Sequence, residues 1–573
     1  MTDIRFYLPF YILLFSIVVA CSSDDEKATH PRESSERELA SVGEYSISET
    51  HYKNMFERFQ QRVGRMQQVN HQVLTSILDD EVDLYTAVTL AKDQGWADDT
   101  ESRYRKDVIR RQVLMEEYER RYVYPQVRVT DDFLEVLFAR LNTYLRASHI
   151  YAPDRYTADS LYQAVMNGAD FEQVAAESFN DPELAEAGGD VGYFTVDDMD
   201  VGFEYAAYDM EVGEISEPVR TSRGYSIIKL TDRVTHPLLT EQEFANKKPR
   251  LQSMANEQLG ELKRREDMYR KIDEMNPDRQ VLRDVWDEVK DEIQGGIQAE
   301  RVETNPFQAI PRDLGEKKMV DGDLHQLSVD EFTDEAFFAD AQALERLDNF
   351  NQFEKFAEGI AFRTYALNKI LNSDRMHQEY VDAAIDRTFH VYLNRRLNDI
   401  IGDTIEVDEG EVRQEFERNR RDFYYPVELN LAELAIDDPE KAEKVYDKIT
   451  GGEVDFVTAL HEYGFDEEAK VYDGELGYIP INKFGGISPA LQNAEPGDVL
   501  GPFEMQEDVI FIFKTLGRRD AEPMSFEEAS DQIEQTLKQE KVQRERNRIL
   551  RSARSEHGAE VHYSKLREIR LTQ

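Results

Sequence analysis

The sequence predicts an α+β protein in which two small, mainly antiparallel sheets wrapped by helices are set among extended helical lobes. Three observations lead to this fold class. A stretch from Leu145 to about Arg233 combines strand-like alternating runs with helical segments. A second stretch with the same order of elements covers about residues 426–518, and helical segments with matching spacing precede both stretches.

Length and charge limit the possible functions. The chain has 573 residues, which is too long for one hydrophobic core, and its formal net charge is −47. This excess of carboxylates disfavours nucleic acids and anionic membrane surfaces as binding partners, because phosphate groups would be repelled. An acidic surface keeps a protein soluble, and it can also steer cationic clients to the molecule. Both interpretations stay open.

The N-terminus has the layout of a signal peptide over residues 1–20, in which Arg5 precedes an apolar run that ends at Ala20. Cys21 is the only cysteine, so an intramolecular disulfide is excluded. A small residue directly before a cysteine resembles the bacterial lipobox, although Val18 stands where leucine is usual. We therefore predict that Cys21 is lipidated and is not a free thiol. Residues 21–40 follow as a polar, flexible tether.

Residues 41–140 are predicted to form a helical module. After a short extended start, Ser48 leads the first of several segments with Leu, Val, Glu and Arg at helical spacing. An extended link, Tyr124–Thr130, ends the module, and Thr130 is placed to cap the helix that enters the next domain.

The domain over residues 141–235 carries seven short motifs. In order, they are Ala147-Ser-His-Ile150, Gly168-Ala-Asp-Phe171, Ser178-Phe-Asn-Asp181, Gly188-Gly-Asp-Val-Gly192, Met199 with Phe203, Gly213-Glu-Ile-Ser-Glu-Pro-Val-Arg-Thr221, and Gly224-Tyr-Ser-Ile-Ile228. Together they resemble the parvulin family of peptidyl-prolyl cis–trans isomerases, also called rotamase or PpiC-type. The family's second histidine is Ser226 here. Its hydroxyl can donate and accept a hydrogen bond but cannot hold a charge, so the resemblance implies weakened activity.

The resemblance implies a site that needs no cofactor and no metal. It assigns an apolar cup for the proline ring to Val191, Met199 and Phe203. It assigns a polar wall, and thus the candidate catalytic residues, to His149, Asp181, Thr221 and Ser226. The 11 histidines are otherwise scattered, and we find no phosphate-binding loop or Gly-x-Ser-x-Gly motif.

Each assignment has a structural alternative. His149 in a strand can be a buried, hydrogen-bonded histidine with no catalytic role. Asp181 before Pro182 is an ordinary turn residue. Met199 and Phe203, four residues apart, would pack in the core of many domains.

A helical linker is predicted over residues 236–320, with a long charged helix from about Leu239 to Met275 and loop signals beyond it, such as Pro277 and Gly295-Gly296. Residues 321–425 then repeat the first module. The separation from Gly43 to Val129 is 86 positions, and that from the equivalent Gly322 to Val407 is 85. Such agreement indicates a duplication.

The duplication continues into residues 426–518, where the site residues are lost. Glu433 or a neighbour is expected in place of the first histidine, Ile510 in place of the second and Ser488 in place of Phe203. We interpret this domain as an inactive scaffold. Residues 519–573 contain a helix, about Ser525 to His557, that is expected to dock on the N-terminal helices, as in SurA/PrsA-like periplasmic chaperones.

Two functions follow from the resemblance. One is a peptidyl-prolyl isomerase and folding chaperone for unfolded or nascent exported polypeptides with prolines. The other is a holdase in which both sheet domains are architecture; a purely structural lipoprotein is the third possibility. In each case the lipid on Cys21 would hold the protein to a bacterial membrane in the cell envelope, at the periplasmic side or at the cell surface.

Overall fold

The computed structural model describes residues 37–63, 70–179, 181–235, 241–294, 307, 310–339, 343–344, 347–465, 469–470, 472–506 and 509–569. The expected signal peptide, Cys21 and most of the expected tether lie outside these residues. Within them, no helix combines the length and the apolar character needed to cross a membrane. Long helices surround two four-stranded antiparallel sheets, which confirms the predicted α+β class.

The first module, residues 38–118, is a β-hairpin followed by three helices. The hairpin turns at Gly43, whose φ of +54° is in the left-handed region. Asn70 and Asp99 cap the second and third helices through the N–H groups of Val73 and Ser102. The elements are β1 (Glu38–Val42), β2 (Tyr45–Ser48), α1 (Glu49–Val63), α2 (His71–Asp93) and α3 (Thr100–Tyr118).

The first sheet domain, residues 131–235, has the strand order β4-β3-β6-β5. The central strand, β3, pairs antiparallel with both β4 and β6. Thr130 caps the entering helix, as predicted. The elements are α4 (Asp131–Leu141), β3 (Thr143–Ala152), α5 (Arg155–Met166), α6 (Phe171–Ser178), α7 (Pro182–Glu186), β4 (Asp190–Phe194), α8 (Val201–Asp209), β5 (Val219–Arg220) and β6 (Tyr225–Thr235).

Two helices connect the halves of the chain, α9 (Glu241–Met275) and α10 (Arg279–Gln294). The second one, α10, lies in the part of the predicted helical linker where sequence analysis noted loop signals such as Pro277. It forms because apolar residues at helical spacing, including Val285, Trp286 and Val289, are buried against the second module.

The second module, residues 312–402, repeats the hairpin followed directly by helices. Ser328 and Glu331 form a capping box at the start of its first long helix. The elements are α11 (Arg312–Gly315), β7 (Lys318–Asp321), β8 (Gln326–Ser328), α12 (Val329–Ala336), α13 (Phe350–Leu371) and α14 (Arg375–Gly402).

The second sheet domain, residues 409–523, has the strand order β11-β10-β13-β12, which matches that of the first. A two-stranded ribbon of β9 and β14 lies at its base. The elements are α15 (Glu409–Arg418), β9 (Tyr424–Tyr425), β10 (Glu428–Ile436), α16 (Pro439–Thr450), α17 (Phe456–Tyr463), β11 (Glu475–Pro480), α18 (Ser488–Leu491), β12 (Val499–Gln506), β13 (Val509–Arg519) and β14 (Glu522–Pro523).

The C-terminal segment returns to the first module. Its elements are α19 (Phe526–Glu556), β15 (Glu560–Val561) and α20 (Tyr563–Leu566). Arg554 on α19 forms ion pairs with Asp79 and Asp83 of α2. The strand β15 pairs antiparallel with β1, with Val561 opposite Ala40. The expected docking of the last helix on the N-terminal helices is therefore present.

Each hairpin is hydrogen-bonded to a segment from the other half of the repeat. The first hairpin binds a segment that comes after the second sheet domain, and the second hairpin binds a segment that comes after the first sheet domain. The His562 N–H donates to the carbonyl of Leu39 in β1 at 2.8 Å, and the Asp278 N–H donates to the carbonyl of Met319 in β7 at 2.8 Å. We call this arrangement the reciprocal closure.

The helices of the two modules share one apolar core. Ile109, Leu114 and Tyr118 of α3 pack in the same cluster as Phe362 of α13 and Phe389 of α14. Burial of such side chains contributes about 1.5–3 kcal/mol each. The two modules are therefore one helical body from which the sheet domains extend.

Candidate active site

The central strand of the first sheet domain positions His149. Its N–H donates to the carbonyl of Gly189 at 2.9 Å, which joins β3 to the turn before β4. Gly189 has a φ of +78°, and a Cβ there would collide with the His149 carbonyl oxygen. The Gly-Gly motif is therefore a backbone requirement of the strand that carries the histidine.

His149 lies beside Ser226 of the neighbouring strand. The two are diagonal across the β3–β6 ladder, because Ser226 pairs with Tyr151. The His149 Nδ1 and the Ser226 Oγ are 3.1 Å apart, which is a hydrogen bond. Burial lowers the pKa of His149 to about 4, so the imidazole is neutral at pH 7 and has one donor and one acceptor nitrogen.

Aromatic rings surround this pair. Phe203 meets the His149 ring edge to face at a centroid distance of 5.4 Å, and Phe179 does so at 4.9 Å. Phe203 is almost fully buried and also contacts Phe194. Sequence analysis did not assign Phe179 to the site, because it follows the end of α6 and has no periodic pattern of its own.

The two other predicted cup residues lie against the same apolar cluster as Phe203. Val191 and Met199 are half-buried and pack on this cluster. The Met199 N–H donates to the Glu204 carboxylate at 2.8 Å, which fixes the loop from the inside. The structure thus brings His149, Ser226 and Phe203 into one group, with Val191 and Met199 packed against the apolar cluster that contains Phe203.

Thr221 and Asp181 have other hydrogen-bond partners. The N–H and Oγ1 of Thr221 both donate to the carbonyl of Gly224, at 2.8 and 3.3 Å, and close a tight turn. The Asp181 carboxylate caps α7 through the N–H groups of Glu183 and Leu184. Among the described residues, neither side chain is hydrogen-bonded to His149 or Ser226.

Glu204 is a buried carboxyl group that sequence analysis missed. Its side chain is 2% exposed, and burial raises its pKa to about 7 despite the N–H that it accepts from Met199. Its place between Phe203 and Tyr205 on a helix gives no sequence signal that distinguishes it from a surface glutamate.

The second sheet domain has the same backbone with different side chains. The Glu433 N–H donates to the carbonyl of Gly474 at 2.8 Å, just as His149 bonds to Gly189. Glu433 therefore occupies the position of the histidine. In this ladder Ala435 pairs with Phe511, as Tyr151 pairs with Ser226, so Phe511 takes the place of Ser226.

The expected replacement by Ile510 is wrong by one residue. Ile510 pairs with Ile436 and packs on the opposite face, against the helices. Phe511 and Phe513 pack with Phe484 and Leu491 in the cluster on the pocket face. Ser488 begins a one-turn helix, and its Oγ lies 2.7 and 2.8 Å from the carbonyl oxygens of Ile481 and Gly485, which share its single O–H donor. An aromatic side chain, Phe511, therefore takes the place of Ser226, while the carboxylate of Glu433 takes the place of the His149 ring.

The described residues include no group of side chains suited to bind a metal ion. In the residues for which positions are given, no three His, Cys, Asp or Glu side chains are grouped so as to hold a metal ion.

Comparison with known proteins identifies both sheet domains. Residues 152–232 match the rotamase family model, described as a PPIC-type PPIase domain, and residues 407–531 match a second rotamase model with the same description. The chain therefore contains two PPIC-type PPIase domains.

Curated relatives match over a limited part of the chain. The foldase protein PrsA of Geobacillus kaustophilus (strain HTA426) is 38% identical over 126 residues, which are 22% of this chain and 45% of that protein. The foldase protein PrsA of Bacillus subtilis (strain 168) is 36% identical over 133 residues, which are 23% of this chain and 45% of that protein. The chain thus spans less than half the length of these two relatives. A crystal structure of peptidylprolyl isomerase PrsA from Bacillus anthracis aligns with a TM-score of 0.20 and 22% identity, over 38% of this chain and 95% of that one.

Proposed function

We propose that the first sheet domain catalyses cis–trans isomerisation of peptide bonds before proline. The observation that carries this proposal is the hydrogen bond between His149 and Ser226 directly beside the buried ring of Phe203. This arrangement combines an apolar surface for a proline ring with a neutral polar pair that can contact the amide.

The chemistry requires no covalent intermediate. The peptide bond has partial double-bond character, and rotation must cross a barrier of about 18–20 kcal/mol. The cis and trans forms of a prolyl bond differ by only about 0.5–1 kcal/mol, so the enzyme must change a rate and not an equilibrium. A site that stabilises the twisted amide more than the planar one lowers the barrier.

Each side chain has a proposed role. Val191, Met199 and Phe203 hold the proline ring. His149 and Ser226 form the polar wall and orient one another. We retain Asp181 and Thr221 as proposed catalytic residues at the edge of the pocket. In the structure, Asp181 is hydrogen-bonded to a helix end and Thr221 to a turn.

The whole chain is proposed to act as a folding chaperone for unfolded or nascent exported polypeptides. Support comes from the curated relatives, which are called foldases, and from the helical body formed by the two modules. We further propose that the protein is a lipoprotein of the cell envelope, exported by residues 1–20 and anchored through Cys21, on the basis of the sequence layout.

A second candidate function is a holdase without catalysis. The observation that favours it is the second sheet domain, in which Glu433 and Phe511 replace the polar pair while the sheet is retained. In this function both sheet domains are structural parts of the client-binding molecule, and neither catalyses isomerisation.

The test is the isomerisation rate of a short prolyl peptide with the full mature chain. We expect activity that falls about tenfold or more in His149→Ala and rises in Ser226→His, because an orienting hydrogen bond is lost in one and a ring is restored in the other. Glu433→Ala is the matched control, since Glu433 holds the same strand position in the second domain, and it should leave the rate unchanged.

The opposite outcome separates the two functions. An inactive full chain that still suppresses aggregation of an unfolded protein would refute the isomerase and establish the holdase. A rate lost equally in His149→Ala and Glu433→Ala would contradict the assignment of the site to the first domain.

A further inference from the structure

Two loops flank the candidate pocket, and Asp200 ties them together. One loop, residues 195–200, carries Met199; the other is the turn 221–224. The Asp200 carboxylate accepts the N–H of Gly202 at 3.0 Å and the N–H of Ser222 at 2.9 Å. The side chain thus caps α8 on one side and holds the opposite turn on the other.

Arg265, on helix α9 outside the sheet domain, forms an ion pair with this same carboxylate. Its Nη1 lies 3.0 Å from one Asp200 oxygen and 2.9 Å from the other. The two side chains are only 20% and 16% exposed, so solvent screens the pair weakly. Burial opposes ionisation of Asp200, but the Ser222 N–H and the Arg265 guanidinium outweigh it and lower the pKa of this carboxyl group. Glu261 accepts from Arg265 Nε at 2.6 Å and orients the guanidinium.

The contact extends along one face of α9. Gln258 donates to the Asp197 carboxylate at 2.6 Å, and the Arg220 guanidinium lies 3.2 Å from the centre of the Tyr269 ring. Gln258, Arg265 and Tyr269 are seven and four residues apart, which places them on one side of a helix. The helix therefore contacts the loop 195–200 at Asp197 and Asp200, and it contacts Arg220 in β5, the strand that leads into the turn 221–224.

The same helix, α9, also contacts the helical body. The Tyr118 hydroxyl of α3 donates to Asp267 at 2.7 Å, and Ile272 is buried in the core that the two modules share. One helix thus contacts both the pocket loops and the helical modules.

We propose that Arg265 is a positioning residue for the prolyl pocket, which it aligns through Asp200. Arg265 holds Asp200, Asp200 holds the turn after Thr221, and the loop that ends at Asp200 carries Met199 into the cup. The isomerase site is therefore completed by a helix that lies outside the sheet domain. This inference rests on the proposed function of that domain.

The test compares Arg265→Ala with Arg265→Lys in the full mature chain. Loosening the cup weakens its hold on the proline ring in the cis, trans and twisted forms alike. We therefore expect KM for a prolyl peptide to rise about tenfold in Arg265→Ala with kcat changed less than about twofold. Lysine restores the charge without the two-point contact, so Arg265→Lys should recover part of the loss. The Met199 methyl resonance should shift in Arg265→Ala.

Lys263→Ala is the matched control. Lys263 lies on the same helix, α9, but it pairs with Glu266 and not with Glu261 or Asp200. Its replacement should leave KM unchanged. An equal rise in KM for both alanine variants would show a general effect of helix stability and overturn the inference.

Failure of the inference and failure of the proposed function give different results. An active parent chain with unchanged KM in Arg265→Ala refutes only the role of Arg265. A parent chain with no isomerase activity refutes the proposed function, and the role of Arg265 falls with it.

Discussion

Glu204 illustrates, at the scale of single residues, how burial converts an ordinary carboxyl group into a pH-dependent one. Its pKa in the folded protein is about 7, above the ordinary value of 4.5. Between about pH 5 and pH 7, the Glu204 carboxyl group is therefore protonated in the folded chain and ionised in the unfolded chain. Stability from this group is present at low pH and is lost as the pH rises through that window.

Glu204→Gln should remove this dependence. Glutamine is neutral at every pH, and its side-chain oxygen can still accept the Met199 N–H. At about 1.36 kcal/mol per pKa unit, the parent chain should lose roughly 3 kcal/mol of local stability between pH 5 and pH 8 that the variant keeps. Thermal or urea unfolding of the first sheet domain at both pH values measures this. Glu186→Gln, at an exposed glutamate of α7, is the control and should behave as the parent. A parent chain that is equally stable at both pH values would contradict the assignment.

Single residues also show how much of the candidate site could be predicted from the sequence. His149, Phe203 and the Gly188-Gly189 turn stand in short motifs, so their neighbourhood was predictable. Arg265 was not, since it reaches Asp200 across 65 residues of chain. Phe179 and Glu204 were missed because packing direction, which local sequence does not encode, decides whether such side chains face the pocket.

At the scale of elements, register was harder to predict than order. The repeated hairpins and both sheets follow the spacing found in the sequence. The strand Val509–Arg519 was misplaced by one residue because Val509 to Phe513 are apolar at every position. Both faces of such a strand look alike, and a shift of one residue moves each side chain to the other face.

The helix α10 was hard to predict because loop signals flank it. Substitution of Trp286 tests its contribution to stability. Pro277 and Gly295-Gly296 indicated loops, while the six buried apolar residues between them make the helix. Trp286 is 7% exposed and packs on Phe353 with ring centroids 5.4 Å apart. We expect Trp286→Ala to destabilise the second module by about 3–5 kcal/mol through the cavity it leaves.

The unfolding of this module can be followed by circular dichroism in urea. Trp286→Phe, which keeps a ring in the site, is the matched variant and should lose much less stability than Trp286→Ala. An unchanged midpoint in Trp286→Ala would show that α10 is not an integral part of the module.

At the scale of the whole molecule, the reciprocal closure binds the two halves of the chain. The first hairpin needs residues 560–562 and the second needs Asp278. The shared core of α2, α3, α13 and α14 adds a further contact. The two halves are therefore expected to remain together without a covalent connection.

Cleavage at a protease site placed between residues 294 and 307 tests this. The two fragments should elute together in gel filtration and separate only in denaturant, because the interface between them resembles a protein core. Removal of residues after Gly558 should lower the urea concentration at which the cut fragments separate. Fragments that part without denaturant would show that the closure contributes little.

The pairing of Ala40 with Val561 also has a consequence for synthesis. At about 5–20 residues per second, the partner of Ala40 leaves the ribosome roughly half a minute to two minutes after Ala40 itself. Until then β1 has an open edge on that side, and unpaired strand edges are where chains aggregate. Only a chain that extends to Val561 can close that edge, so the fold itself distinguishes such chains from those that stop before this residue.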